Sequence, residues 1–149
     1  MGTTVAAVIV SGDHLSMANV GDSRVYLLRK GNLEQLTVDD TWISAVGTRG
    51  SMTKAQIQNH PMRNFLTQAA GSKQDLDVHT KELQLLHRDL VLVCSDGLHS
   101  IVEDSTIASI LGSAPDARSA SKDLIRTANG AGGLDNVSCI VISYTGEAS

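Results

Sequence analysis

Aromatic side chains are nearly missing from this sequence: one Trp, two Tyr and one Phe among 149 residues. A surface that stacks nucleic-acid bases needs more of them. The net charge is −4, with acids and bases mixed, so no basic stripe speaks for nucleic acid either. No apolar run approaches the ~20 residues of a membrane helix. Met1-Gly2-Thr3-Thr4 lacks the basic stretch that opens a signal peptide. The only two cysteines, Cys94 and Cys139, lie inside apolar strand-like runs. They read as buried free thiols of a cytoplasmic protein rather than as a disulfide or a metal pair. What is present is the makeup of a globular protein, 42% hydrophobic and 19% charged, at a length that fits one domain spanning residues 1–149.

Short β-branched and apolar runs open the chain. Thr3 to Val10, Leu15 to Val20, Val25 to Arg29 and Leu33 to Leu36 read as four strands, with turns at Ser11-Gly12-Asp13, Gly21-Asp22 and Gly31-Asn32. Their close spacing predicts an antiparallel meander. Residues 38–74 are polar, carry Gly47, Gly50 and Pro61, and hold no sustained period. A stretch this long between strands reads as a functional loop or flap. Thr53 is placed to cap a short helix over Lys54 to Asn59, and a second is expected over Arg63 to Gln68. Strands return at Leu76 to Leu85 and Leu90 to Cys94. Ile107, Ile110 and Leu111 have helical spacing, with Asp104 or Ser105 as the expected cap. Ala117, Ala120, Leu124, Ile125 and Ala128 form one face of a longer helix that starts near Pro115 and stops before Gly130. Asn136 to Tyr144 is the last strand. The order of elements is that of an α+β protein.

Three aspartates stand at strand ends. Asp22 sits in Gly21-Asp22-Ser23, Asp96 in Ser95-Asp96-Gly97, and Asp135 in Gly133-Leu134-Asp135. Each has a glycine within two residues, which allows close approach of backbone or ligand. They are either three independent turns or one carboxylate cluster at one edge of the sheets. In a cluster, two ionised carboxylates ~4 Å apart repel by roughly 4 kcal/mol at an effective dielectric of 20. A divalent cation removes that cost, and oxygen-only ligands suit Mg²⁺ or Mn²⁺ rather than zinc.

An ordered set of short motifs adds to this: Gly2-Thr3-Thr4, Ala18 to Arg24, Leu36-Thr37 with Asp39-Asp40, His60-Pro61-Met62-Arg63-Asn64, Cys94 to Leu98, and Gly132 to Val137. In order and spacing it resembles the metal-dependent protein serine/threonine phosphatases of the PP2C or PPM family, in their bacterial form. The resemblance runs over essentially the whole chain. It implies a sandwich of two antiparallel β-sheets flanked by helices around a two-metal centre that takes Mn²⁺ or Mg²⁺. Asp96 and Asp135 match metal ligands of that family. Asp22 matches a ligand of a third, weaker metal shared with Asp96. Residues of about 38–70 match the flap that borders the family's site. The N-terminal part of the family pattern has no counterpart in this sequence. That part carries an Asp-Gly motif whose carboxylate bridges the two central metals, and an arginine that holds the substrate phosphate. The chain therefore reads as a partial domain.

The implied activity is hydrolysis of phosphoserine or phosphothreonine in proteins phosphorylated by a serine/threonine kinase, without nucleic-acid or membrane partners. The alternative is a non-catalytic relative that binds a phosphoprotein through the flap. His60 and Arg63 are the flap's candidates for substrate contact, with capping or packing open for His60. Arg24, close after Asp22, reads as a structural pair to a carboxylate or to backbone rather than as a phosphate ligand. His14, His79, His87 and His99 read as surface or turn residues.

Overall fold

The computed structural model describes residues 1–47, 52–63, 65–72 and 74–146. Strand β1 (Val5–Ser11) pairs antiparallel with β2 (His14–Val20) through the tight turn at Gly12. Strands β3 (Arg24–Arg29) and β4 (Asn32–Gln35) form a second hairpin. The meander breaks between the hairpins. Among the described residues β2 pairs with β5 (His79–Gln84), and β3 pairs with β6 (Leu90–Cys94), which pairs with β7 (Cys139–Ser143). The result is a three-stranded sheet ordered β1-β2-β5 and a four-stranded sheet ordered β4-β3-β6-β7. Chain order alone favours neighbours in sequence. Here burial decides otherwise, because β3 and β6 are apolar on both faces and must be covered on both.

That double covering organises the core. Leu15 and Met17 of β2 meet Val25 and Leu27 of β3 and Val91 and Val93 of β6, all buried between the two sheets. The alternate residues Tyr26, Leu28, Leu92 and Cys94 point the other way. They pack against helices α4 (Asp104–Ser113) and α5 (Ala117–Gly130) through Ile107, Leu111, Ala120, Leu124 and Ala128. Each fully buried side chain of this size stabilises the fold by about 1.5–3 kcal/mol relative to exposure.

Between β4 and β5 lie two short helices, α1 (Trp42–Gly47) and α2 (Lys54–Gln58). Helix α2 begins at Thr53 with a capping box: Thr53 Oγ1 accepts from Gln56 N, and Gln56 Oε1 accepts from Thr53 N. The helix expected over Arg63 to Gln68 does not form. Thr41 and Leu66 make an isolated bridge, and Trp42 N donates to Phe65 O at 2.8 Å, so this backbone pairs with the start of the flap instead. Gly50 and Asn64, both part of the sequence-based flap reading, lie outside the described residues. The expected cap of α4 shifts to Glu103, and Asp116 caps α5 by accepting from Ser119 N at 2.7 Å. Helix α5 runs through Gly130 rather than stopping before it. No helix among the described residues is long and apolar enough to cross a membrane.

Candidate metal centre

The chain passes from one sheet to the other at Val20-Gly21-Asp22-Ser23. Gly21 has φ of +100°, and a Cβ there would come within 2.5 Å of Thr4 Cγ2. Only glycine fits this crossing without strain. The buried Asp40 holds it: Gly21 N donates to Asp40 Oδ2 at 2.8 Å, and Asp40 N donates to Gly21 O at 2.9 Å. Asp40 Oδ1 in turn faces His79 Nε2 at 2.8 Å and accepts from Gln68 Nε2 at 3.1 Å. His79 is thus a hydrogen-bonding partner of Asp40 rather than a plain surface residue. Asp22 is delivered at the junction of the two sheets.

Asp96 begins a single helical turn, α3 (Asp96–His99), directly after β6. Leu98 is fully buried and anchors the turn in the core. Gly97 lies so close to Asn136 that a Cβ would collide with the Asn136 carbonyl. That contact presses the Asp96 turn onto the segment carrying Asp135. Ser95 fastens the two: its N donates to Ser138 O at 3.0 Å, its Oγ donates to Asn136 O at 3.3 Å, and it accepts from Ser138 N at 3.1 Å. Asp135 Oδ1 accepts from Asn136 N at 2.7 Å, which orients its carboxylate.

Asp22, Asp96 and Asp135 line one cleft of about 540 Å³, with Arg63, Ile43 and Ile57 contributed by the flap. Burial raises the pKa of Asp22, and the charge of Asp96 raises it further. Arg24 lines the same cleft but is bound sideways. Its Nη2 donates to Asp39 Oδ2 at 2.6 Å, its Nε to Asp39 Oδ1 at 2.9 Å, and its Nη1 to Tyr26 Oη at 2.8 Å. Burial works against the Arg24 charge, yet the bonds to Asp39 and Tyr26 hold its pKa above the usual value. His60 does not line the cleft. Its ring stacks on Trp42 with centroids 4.3 Å apart, and its Nδ1 accepts from Met62 N. A larger groove of about 730 Å³ between α5 and β7 is lined by Lys122 and Arg126 but no acid.

His99 is the cleft residue that sequence reading passed over. Its Nε2 donates to the Asp22 carbonyl at 2.8 Å. Burial lowers its pKa, and the Arg24 charge adds to that. Its signal was its place three residues after Asp96, which matters only once the segment is known to be helical.

The donor set fits a hard divalent cation in part. Among the described residues no three His, Cys, Asp or Glu side chains close into a ready-made cage. The cleft is lined by Asp22, Asp96 and Asp135, and Mg²⁺ is held by one or two carboxylates with waters completing its shell. The Asp22–Asp96 repulsion is the cost a cation would remove.

Known proteins share the sequence and the fold of this chain. The sequence profile of the family "Protein phosphatase 2C" matches residues 1–42. The serine/threonine phosphatase stp of Listeria welshimeri is 35% identical over 142 residues, which is 95% of this chain and 56% of that protein. The serine/threonine protein phosphatase PstP of Mycobacterium tuberculosis is 38% identical over 142 residues, which is 95% of this chain and 27% of that protein. The crystal structure of the catalytic domain of PstP in complex with 2 manganese ions superposes with a TM-score of 0.83 at 33% identity, covering 99% of this chain and 60% of that one. The chain thus spans about half the length of the first of these relatives and less of the second. Over nearly its whole length it is similar to bacterial serine/threonine phosphatases of the protein phosphatase 2C type, and it carries part of their fold.

Proposed function

We propose that this chain is part of a metal-dependent phosphatase domain that hydrolyses phosphoserine and phosphothreonine in proteins. The observation that carries the reading is that Asp22, Asp96 and Asp135, from three chain-distant segments, line one cleft. Asp96 and Asp135 would hold one Mn²⁺ or Mg²⁺, and Asp22 with Asp96 a weaker one. When bound, such ions neutralise phosphoryl charge and make a bound water nucleophilic near neutral pH. The chain's own residues do the placing. The Ser95 bonds and the Gly97 contact tie the Asp96 turn to the Asn136–Ser138 segment that follows Asp135. Arg24 stays committed to Asp39 and leaves the phosphate to other groups. Arg63 brings a flap cation to the cleft wall, where a phosphorylated segment would enter. His60 serves the flap by packing on Trp42. The substrate would be the product of a serine/threonine kinase in the cytoplasm, and the acidic net charge disfavours nucleic acid and anionic membrane surfaces. Among the described residues, nothing in the cleft favours the non-catalytic alternative.

The test uses the 149-residue chain and the same chain joined to the N-terminal part of a relative. The chain alone is expected to bind Mn²⁺ weakly and to hydrolyse para-nitrophenyl phosphate or a phosphopeptide poorly. The joined protein is expected to show Mn²⁺-dependent turnover that Asp96→Asn largely abolishes. Turnover indifferent to Asp96→Asn would overturn the reading.

A further inference from the structure

We propose that His99 is the positioning residue that sets the separation of the Asp22 and Asp96 carboxylates. The inference rests on the metal reading above and adds to it a residue outside the carboxylate set. Register explains the need for such a residue. Strand β3 begins at Arg24 opposite Cys94, where β6 ends. Asp22 and Asp96 each lie two residues beyond that last pair, so the ladder brings them near one another but no longer holds them. On the Asp22 side the other ties of the crossing run elsewhere: Gly21 to Asp40 in both directions, and Ser23 Oγ to Thr4 Oγ1 at 2.9 Å. Among the described residues the His99 Nε2 bond to the Asp22 carbonyl is the only hydrogen bond between this crossing and α3.

The other end of the link is rigid. His99 closes the turn that Asp96 opens, and residues three apart on a helix lie on one side of it. Leu98 is fully buried, Gly97 is pressed on the Asn136 carbonyl, and Ser100 N donates to Asp96 O at 2.9 Å. The turn therefore has no freedom to follow Asp22, and Asp22 is drawn to the turn. A carbonyl only accepts, so the link needs a side chain that places an N–H where Nε2 now stands. A glutamine amide reaches that point, whereas an asparagine amide falls one methylene short and a leucine has no donor.

The experiment measures Mn²⁺ affinity of the 149-residue chain, by electron paramagnetic resonance of free Mn²⁺, for wild type and for His99→Leu, His99→Gln, His99→Asn and Asp96→Asn. Circular dichroism checks the fold of each. Partners that orient ligands are worth about 10- to 100-fold in metal affinity, so His99→Leu and His99→Asn should each weaken binding by at least about 10-fold. His99→Gln should stay close to wild type. Where His99→Leu does not fold, the contrast of Gln with Asn decides. Wild-type affinity in His99→Leu or His99→Asn, alongside lost binding in Asp96→Asn, overturns the proposal and leaves the metal reading standing. So does equal loss in Gln and Asn. Full affinity in Asp96→Asn overturns the metal reading itself, and the proposal with it.

Discussion

Arg24 follows a candidate metal ligand by two residues, yet its charge is spent inside the protein. The reading of it as a structural pair to a carboxylate or backbone rested on the family resemblance, and Asp39 supplies the carboxylate through paired bonds of 2.6 and 2.9 Å. Both side chains are largely buried, at 21% and 12% exposure. Removing one would leave the other charged and unmatched. Asp39→Ala is therefore expected to destabilise the fold by about 3 kcal/mol, read from urea unfolding followed by circular dichroism. His99 was illegible because its partner is a backbone carbonyl 77 residues away, and no side-chain pattern records that. Cys94 was legible as an inert thiol. Burial pushes its pKa from 9.0 up to about 12. The folded state keeps that proton while the unfolded chain loses it above about pH 8.5. Stability from this group is thus full below the unfolded value and is lost as pH rises toward the folded one. Native protein at pH 8 should leave Cys94 unreacted with Ellman's reagent, and Cys94→Ala should flatten the loss of stability between pH 9 and 11.

At the level of elements, the strands that carry core on both faces were the easiest to read. Leu90–Cys94 was placed to the residue because continuous apolar sequence leaves little choice. The Thr53 cap was legible because a capping box is written in local sequence. The Arg63 to Gln68 segment was not, since its backbone is claimed by Thr41 and Trp42, more than twenty positions earlier. Propensity does not see such pairings. The close packing of α3 on the segment before β7 was hidden for the same reason, although Gly97 marks it. Gly97→Ala would force the Asn136 carbonyl away, and backbone yields poorly. Overpacking of this kind costs about 1–3 kcal/mol, and the cost here falls on the seat of Asp96 and Asp135. A lowered melting temperature together with weaker Mn²⁺ binding is expected. Wild-type values for both would show that the contact relaxes freely.

The whole molecule has one sheet covered on both faces and one covered on a single face. The outer side of β1-β2-β5 shows Val5 at 42% and Ile9 at 71% exposure, beside Ala7, Ser16 and Ala18. Exposed apolar sheet surface of this kind promotes association. Sedimentation velocity should show self-association that grows with concentration and weakens in Ile9→Lys. Concentration-independent monomer for the wild type would show that the small neighbours dilute the patch enough. The two-layer plan was legible from the family resemblance, whereas the spacing of strands and turns pointed to a meander. Which strand joins which layer was not, because that depends on what Gly21 permits: a sharp crossing where a meander would have carried on.

That crossing makes the site a seam. Asp22 rides on the chain as it leaves one layer, while Asp96 and Asp135 ride on the other, so sliding of one layer over the other would change the spacing of these carboxylates. A cation shared by Asp22 and Asp96 would act as a rivet through the sandwich, and apart from chemistry it would lock the layers in register. Ligand at a hundred times its dissociation constant adds about 2.7 kcal/mol to a folded state, so saturating Mn²⁺ should raise the melting temperature of this chain by several degrees. Asp22→Asn should cut that rise while leaving the part owed to Asp96 and Asp135.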